Sequence, residues 1–314
     1  TAVFFGLFEK RPDVIVSTSP HLFAAVAAWK LSIFKWRPFV FELRDLWPAS
    51  IVTVGAMKKG LAIRLLEKLE LFLYRRAAAI VSVTKSFKED LVRRGIDGTK
   101  IHNVRNGVDL SRFQPRSRDE AMAERLGVTG KFVVAYLGTH GMAHALDNVL
   151  AAAARLQAHD GIRFLFVGDG ARKQAIVDAA QSMCLEKAIF RASMPKEDMP
   201  AVWSVCDVAL VHLKNDPVFA TVIPSKIFEA FGMGKPVMIA QPEGEAVDLV
   251  TQAGAGEHVA PEDPDALAAA ILNWYGDRKK RARFADAAQK AAHEHSRDRL
   301  AAELLGVLCQ VADA

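Results

Sequence analysis

One short segment of the chain, IPSKIFEAFGMGKPV at residues 223–237, combines a hydroxyl, a cation and a carboxylate with apolar neighbours. Pro224 and Ser225 predict the start of a helix, with Ser225 as its N-cap residue. Glu229 does not have the spacing from Ser225 that a capping box requires. A surface ion pair with Lys226 is the alternative, but the apolar neighbours of Glu229 leave only a narrow solvated face. We therefore expect Ser225 and Lys226 to bind phosphate, and Glu229 to accept hydrogen bonds from paired hydroxyls such as those of ribose.

Two other segments place glycines where a predicted strand meets a helix. The residues concerned are Gly138, Thr139, His140 and Gly141 in the first segment and Gly168, Asp169 and Gly170 in the second. Glycines allow backbone N–H groups to approach an anion, and His140 or His144 could add a donor. Arg172 and Lys173 oppose the dipole of the helix they open, which a nearby anion would relieve. An ordinary tight turn and a solvated charge pair are the alternative interpretations.

A further candidate lies in FELRDLWPAS at residues 41–50, where a predicted strand ends in Arg44 and Asp45. An Arg and Asp at a strand end can hold a sugar hydroxyl or a developing phosphate charge, with Trp47 as an apolar wall. We take Arg44 and Asp45 as the candidate catalytic residues. A buried structural ion pair would explain the same two residues.

These side chains must be positioned by the strands before them, and the chain alternates short apolar runs with amphipathic stretches. The runs lie at residues 13–17, 39–45, 79–84 and 100–104, and then at 132–138, 163–170, 188–191, 208–213, 236–240 and 257–260. Apolar strands that alternate with helices predict parallel sheets covered on both faces. The fold class is therefore α/β, with two doubly wound, Rossmann-like domains whose ligands bind beyond the carboxyl ends of the strands.

Turn residues and charges at 106–130 separate the two series of strands. We place an N-terminal domain at residues 1–115, a linker at 116–130, a C-terminal domain at 131–294 and a C-terminal helix at 295–314. The first domain has fewer predicted strands than the second, so we expect it to be truncated at its start.

Composition excludes several classes of protein. The chain has 314 residues, of which 51% are hydrophobic, so it can bury sizeable cores. Its three cysteines form no CxxC pair, which argues against a disulfide framework or a zinc site. No apolar run approaches the roughly 20 residues of a membrane span, and the first residues do not form a signal peptide.

Charge is distributed unevenly along the chain. Residues 1–108 hold 18 Lys and Arg against 9 Asp and Glu, whereas the remainder holds 23 against 27. The basic half contains the stretches WKLSIFKWRPF (29–39) and AMKKGLAIRLLEKLELFLYRR (56–76), which interleave basic residues with apolar ones. The basic residues are Lys30, Lys35, Arg37, Lys58, Lys59, Arg64, Lys68, Arg75 and Arg76, and the apolar ones are Trp29, Phe34, Trp36, Leu61, Leu65, Leu69, Phe72 and Leu73. A helix that covers a sheet explains part of this pattern, and contact with an anionic bilayer surface is the further prediction.

At these residues the sequence resembles the family 4 glycosyltransferases, which have the GT-B fold. The resemblance is carried by FELRDLWPAS, NVRNGVDLSRF at the domain junction, YLGTHGMAHALD, and IPSKIFEAFGMGKPV followed by EGEAVDLV. These motifs occur in order along essentially the whole chain. They look closest to the bacterial subgroup of WbuB-type N-acetyl-fucosamine transferases, which act in surface polysaccharide assembly.

The resemblance implies a retaining transferase that needs no metal and no cofactor. It would move a sugar from a nucleoside-diphosphate sugar, most often UDP-linked, to a lipid-linked or polysaccharide acceptor of lipopolysaccharide or capsule synthesis. It implies that Glu229 binds ribose, that residues 138–141 with Ser225 and Lys226 surround the diphosphate, and that Arg44 lies near the sugar. It implies a cytoplasmic protein at the inner face of the plasma membrane, with no nucleic-acid partner.

The sequence departs from the family pattern in three places. Thr221 stands where many relatives have a second Glu, the usual Arg and Lys are absent after residue 138, and the Gly-rich N-terminal loop is missing. Two other functions therefore stay open: a nucleotide-sugar epimerase of the GT-B type, and a non-catalytic nucleotide- or glycan-binding relative. The base, the sugar, the acceptor, the linkage and the oligomeric state are not determined by the sequence.

Overall fold

The computed structural model describes residues 2–48, 51–52, 55 and 60–313. The chain divides into two compact units. The first consists of Thr1–Asn106 together with Asp298–Ala314, and the second is Gly107–Arg297. Each unit is built around a parallel sheet, as the alternation of apolar runs and helices predicts.

The first unit contains a four-stranded parallel sheet in the described residues, with the strands in sequence order. Its elements are α1 (Ala2–Phe8), β1 (Ile15–Thr18), α2 (Leu22–Lys35), β2 (Phe39–Leu43), α3 (Leu61–Arg76), β3 (Ala79–Ser82), α4 (Lys85–Arg93) and β4 (Ile101–Asn103). Alternate residues of β2 point to opposite faces, so Phe41 joins one buried cluster while Val40 joins another. All four predicted strands are confirmed.

The apolar residues noted in the stretch 56–76 do not all lie on one buried face of α3. Leu73 is buried, but Leu61 and Leu65 are 74% and 57% exposed. The helix instead turns Glu70 inward, where its carboxylate accepts hydrogen bonds from Tyr74 Oη at 2.7 Å and from Arg94 Nη2 at 2.6 Å. Burial raises the pKa of Glu70, although Arg94 acts in the opposite direction. Lys58 and Lys59, which belonged to the same prediction, lie outside the described residues.

The second unit contains a six-stranded parallel sheet in the order β10-β9-β8-β5-β6-β7. Its elements are α5 (Glu120–Leu126), β5 (Phe132–Leu137), α6 (Leu146–Arg155), β6 (Ile162–Val167), α7 (Lys173–Ser182), β7 (Ala188–Arg191), α8 (Met199–Ser204), β8 (Val208–His212), α9 (Lys226–Gly232), β9 (Val237–Ala240), α10 (Glu245–Gln252), β10 (Gly256–His258), α11 (Pro264–Gly276) and α12 (Arg278–Glu294). All six predicted strands are confirmed. The strand order reverses between β5 and β8, which is the point where open α/β sheets bind their ligands.

The linker predicted at residues 116–130 is wrong. This segment forms α5, and its residues Met122, Ala123 and Leu126 are buried in the larger core cluster of the second unit. The charged residues that suggested a linker are the exposed face of an amphipathic helix, which a short window cannot distinguish from a polar connection.

The C-terminal helix predicted at 295–314 is present as α13 (Arg297–Ala312). It is not a separate segment, because it belongs mainly to the first unit, where Val307 packs with Val40 and Val81 of the sheet. Over the described residues, none of the helices combines the length and the apolar character that crossing a bilayer demands.

Candidate functional site

A cavity of about 420 Å³ opens in the second unit at the carboxyl ends of β5 and β6. It is lined by Leu137, Gly138, Thr139, His144, Val167, Gly168, Asp169, Ser193, Met194, Met199, Pro224, Ser225, Lys226 and Glu229. Most of the predicted donor-binding residues therefore come together in one place. The cavity lies beside the reversal of strand order, as the doubly wound topology predicts.

The two glycine-rich turns pack closely against each other beside the cavity. Gly168 has φ +150°, and a Cβ at this position would collide with the carbonyl oxygen of Gly138. The N–H of Gly138 donates to Val167 O at 2.9 Å, and that of Gly170 donates to Asp169 Oδ1 at 2.8 Å. These two N–H groups are engaged within the protein, Gly138 with the end of the neighbouring strand β6 and Gly170 with the carboxylate of the preceding residue. Anion binding by this segment stays a prediction. The glycines permit the close approach that shapes the cavity floor.

Lys226 is the cation of the cavity wall. Its Nζ lies 3.4 Å from the centroid of the Tyr136 ring, and this buried atom has no hydrogen-bond partner among the residues the structure describes. Burial lowers the pKa of Lys226 to about 7, while the nearby Glu229 carboxylate acts in the opposite direction. The aromatic face supplies some stabilisation of the ammonium but does not replace a bound anion.

Glu229 lies one turn after Lys226 on α9, and a buried side chain holds its carboxylate. Its Oε2 accepts a hydrogen bond from the indole Nε1 of buried Trp203 at 3.1 Å. Because Glu229 also lines the cavity, its carboxylate is held by the core and lies beside the space that a ligand would occupy.

Of the two histidines predicted as donors, only one lines the cavity. His140 is completely buried between the rings of Tyr136 and Phe166, and neither ring nitrogen has a hydrogen-bond partner within the described part of the chain. Burial, with a smaller effect of Lys173 and Lys226, lowers the pKa of His140 to about 4. His144 takes its place at the cavity, and burial lowers the pKa of His144 to about 3.

Arg172 and Lys173, the cations predicted at the start of α7, form their contacts within the protein and not at the cavity. Arg172 forms a salt bridge with Asp147 at 3.0 Å. Lys173 Nζ donates to the carbonyl oxygens of Gly168 at 2.6 Å and Arg191 at 2.9 Å, which fastens the ends of β6 and β7. Neither residue lines the cavity, so the unfavourable dipole arrangement is relieved by the protein itself.

Two hydroxyl residues near α9 differ in their roles. Ser225 is the N-cap residue of α9, as predicted, although its side chain makes no capping hydrogen bond; this exposed side chain lines the cavity. Thr221 Oγ1 donates to Val218 O at 2.7 Å, which closes a local turn. Thr221 does not line the cavity, and it supplies no substitute for the acid that the family resemblance leads us to expect there.

The candidate catalytic residues Arg44 and Asp45 follow β2 in the first unit. Ser19 Oγ accepts hydrogen bonds from their backbone N–H groups at 2.8 and 3.0 Å, and this fixes the backbone at the strand end. The Arg44 side chain is exposed and reaches Asn106 Oδ1 at 3.3 Å, so the buried ion pair is not formed. Trp47 packs against the core cluster of this unit.

Sequence reasoning missed several residues around the cavity. Ser193, Met194 and Met199 line it, and the ring of Tyr136 lies against Lys226 Nζ. Single methionines and a tyrosine inside a strand carry no local signal of a site. The cavity lining thus combines a cation with apolar side chains, which suits an anion that carries a flat apolar group. Over the described residues, no three or more His, Cys, Asp or Glu form a group that could hold a metal ion.

Two family models match the chain. The model described as "Glycosyl transferases group 1" matches residues 117–291, which is more than half of the chain and contains the whole cavity. The model described as "Glycosyltransferase Family 4" matches residues 4–112. The two matches together cover most of both structural units, without the C-terminal segment of the first.

Several curated proteins are similar to this chain. WbjE of Pseudomonas aeruginosa, described as a glycosyltransferase, is 28% identical over 83% of this chain and 66% of its own length. WcaI of Escherichia coli, described as a colanic acid biosynthesis glycosyl transferase, is 25% identical over 85% of this chain and 68% of its own length. TuaH of Bacillus subtilis, described as a teichuronic acid biosynthesis glycosyltransferase, is matched over 51% of its length. The chain thus spans about half to two thirds of these relatives.

Solved structures share the fold. Anabaena HepE in complex with UDP and glucose superposes with a TM-score of 0.79 at 20% identity, over 94% of this chain and 78% of HepE. The sucrose-phosphate synthase of Thermosynechococcus elongatus superposes with a TM-score of 0.76 at 17% identity, over 95% of this chain and 73% of the synthase. At such identities the likeness concerns the fold, which is the GT-B fold.

The buried ammonium of Lys226 should make the stability of the second unit depend on pH. The pKa of Lys226 falls to about 7 in the folded chain from 10.5 in the unfolded one, so the unfolded chain holds the proton more tightly. The free energy of unfolding should therefore rise between these two values, and Lys226→Met should stabilise the unit at pH 6 by up to about 4 kcal/mol. Denaturant unfolding at pH 6 and pH 10 measures this, with the exposed Lys290→Met as control. A difference between Lys226→Met and the wild type that does not change with pH would contradict the prediction.

Proposed function

Because this chain belongs to the glycosyl transferases group 1 family, we propose that it is a retaining glycosyltransferase that uses a nucleoside-diphosphate sugar. The observation that carries the proposal is the juxtaposition of Lys226 and Glu229 in one cavity that apolar side chains also line. A cation without a described partner suits the diphosphate, a carboxylate suits the ribose hydroxyls, and the apolar side chains suit the base.

In the proposed reaction the bond between the anomeric carbon and the diphosphate oxygen breaks, and its electron pair stays on the diphosphate. An acceptor hydroxyl oxygen forms the new bond to the anomeric carbon on the same face, and its proton passes to the departing diphosphate oxygen. Lys226 and the His144 side chain would stabilise the charge that develops on the leaving diphosphate. The chain's own donors would supply this stabilisation without a resident metal or cofactor.

We propose UDP as the nucleotide and a lipid-linked or polysaccharide acceptor of cell-surface glycan synthesis. HepE was solved with UDP and glucose, and WcaI and TuaH are described as enzymes of colanic acid and teichuronic acid biosynthesis. These similarities support the proposal for this chain. Arg44 and Asp45, at a strand end of the first unit, are the residues that we propose to act on the sugar or the acceptor.

We further propose that the first unit contacts the inner face of the plasma membrane. A groove of about 610 Å³ lies beside the start of β2 and is lined by Trp29, Ser32, Ile33, Trp36, Arg37, Pro38, Phe39, Arg76 and Ala78. Trp36 is 84% exposed, and the buried Nε of Arg37 has no hydrogen-bond partner among the described residues. Aromatic side chains beside guanidinium groups match an anionic bilayer surface, which the cytoplasmic leaflet provides.

The donor site can be tested by calorimetry with matched nucleotides. Glu229→Gln keeps the shape of the side chain but removes its charge, so it should weaken UDP binding roughly tenfold or more and reduce the preference for UDP over 2′-deoxy-UDP. Lys226→Met should instead reduce the preference for UDP over uridine. Glu186→Gln and Lys290→Met, both exposed in the same unit, serve as controls. Unchanged UDP affinity in both site variants would overturn the assignment.

Membrane contact can be tested by co-sedimentation with phosphatidylglycerol vesicles at low salt. Trp36→Asn suits the left-handed backbone of this position, with φ of 52°, and removes the exposed indole. Binding should weaken in this variant, and Arg76→Ala should lower it roughly fivefold, since each basic residue near the surface contributes about 1 kcal/mol. Leu305→Ser removes a 60% exposed apolar side chain elsewhere in the unit and should have no effect. No sedimentation of the wild type would discard the proposal.

A further inference from the structure

Behind the wall of the cavity, two side chains that sequence reasoning did not select are linked to His144. His212, the last residue of β8, is buried, and its Nδ1 lies 2.8 Å from the carbonyl oxygen of His144. Its Nε2 lies 3.0 Å from Nδ2 of Asn148, in the first turn of α6. The contacts join β8, α6 and the turn after β5 at the point where the strand order of the sheet reverses.

The direction of each hydrogen bond follows from the groups involved. A carbonyl oxygen only accepts, so Nδ1 of His212 must carry the hydrogen that it donates to His144 O. The neutral ring then accepts at Nε2 from the amide of Asn148. Burial lowers the pKa of His212 to about 4, and of the nearby charges Glu262 opposes this shift while Lys226 adds to it. Asn148 thus stabilises the neutral ring in one tautomer.

The same reasoning determines the tautomer of His144. Its Nδ1 accepts a hydrogen bond from the backbone N–H of Gly141 at 3.3 Å, so its hydrogen is on Nε2. The ring also meets the edge of Tyr136 at a centroid distance of 5.8 Å. Gly141 and Tyr136 contact the ring while His212 holds the backbone of the same residue. His144 therefore has both its ring and its carbonyl constrained.

We propose that His212 and Asn148 are positioning residues that hold His144 as a neutral Nε2–H donor to the diphosphate of the nucleotide sugar. The inference rests on the proposed function for the identity of the ligand, but not for the tautomer. A neutral donor is suited to this place because a second cation beside the Lys226 ammonium would be repelled by it. The site would then bind the diphosphate through the Lys226 ammonium, whose charge depends on pH, and through the neutral Nε2–H group of His144.

Nitrogen-15 NMR of the histidine rings in the ligand-free 314-residue chain tests the tautomer directly. His144 should stay neutral with its hydrogen on Nε2 from pH 6 to pH 8. His212→Asn retains an N–H donor for the carbonyl and should preserve this state. His212→Leu removes the donor and should give a mixture of tautomers at His144. His159→Asn, on the surface side of the same unit, should leave the His144 signal unchanged.

Calorimetry with UDP and with inorganic pyrophosphate then tests the consequence for binding. Affinity for UDP and for pyrophosphate should fall roughly tenfold in His212→Leu and recover in His212→Asn. Both ligands should be affected because the variant disturbs a hydrogen bond to the diphosphate and not a contact with the nucleobase. An Nδ1–H tautomer, titration of His144 near pH 6.5, or wild-type affinity in His212→Leu would overturn the inference. If the wild type binds no nucleoside diphosphate, the proposed function fails, and the tautomer measurement still decides whether His212 positions His144.

Discussion

The candidate site of the second unit depends on one buried cation, Lys226, for which the described residues provide no hydrogen-bond partner. The ammonium of Lys226 is buried over the face of Tyr136, with no hydrogen-bond partner in the described chain, and burial lowers its pKa to about 7. Burying an ammonium without a partner is unfavourable, so the large core clusters on both faces of the sheet must offset its cost. A polyanionic ligand would relieve this cost. The same lysine thus links the stability of the unit to the ligand that it binds.

The two other cations predicted at this site are engaged within the protein, which leaves Lys226 as the cation of the described cavity lining for the ligand. Arg172 pairs with Asp147, and Lys173 fastens two strand ends through carbonyl oxygens. One oxygen of the Glu229 carboxylate accepts a hydrogen bond from Trp203, which orients the group and leaves its negative charge in place. Such internal hydrogen bonds fix the geometry of a site before the ligand arrives, which lowers the cost of binding.

The sequence predicts the scaffold well because strand periodicity and parallel topology are local or nearly local properties. All ten predicted strands are present over the described residues, and α9 places Lys226 and Glu229 together as its spacing indicates. The sequence does not predict which of the candidate side chains reach the cavity, because this depends on which of them are buried. His140 and His144 lie in the same turn, and only packing shows that His140 is enclosed by Phe166 while His144 reaches the cavity. The glycine turns likewise suggested free N–H groups, but those of Gly138 and Gly168 have partners on strands distant in sequence.

Proton uptake on ligand binding is the most direct measurement of this account. Calorimetry of UDP binding in buffers of different ionisation enthalpy gives the number of protons taken up. If Lys226 is the cation that meets the diphosphate, binding at pH 8 should take up nearly one proton, and binding at pH 6 far less, since its pKa in the free protein is about 7. UDP binding without proton uptake at pH 8, or with the same uptake in Lys226→Met, would contradict it.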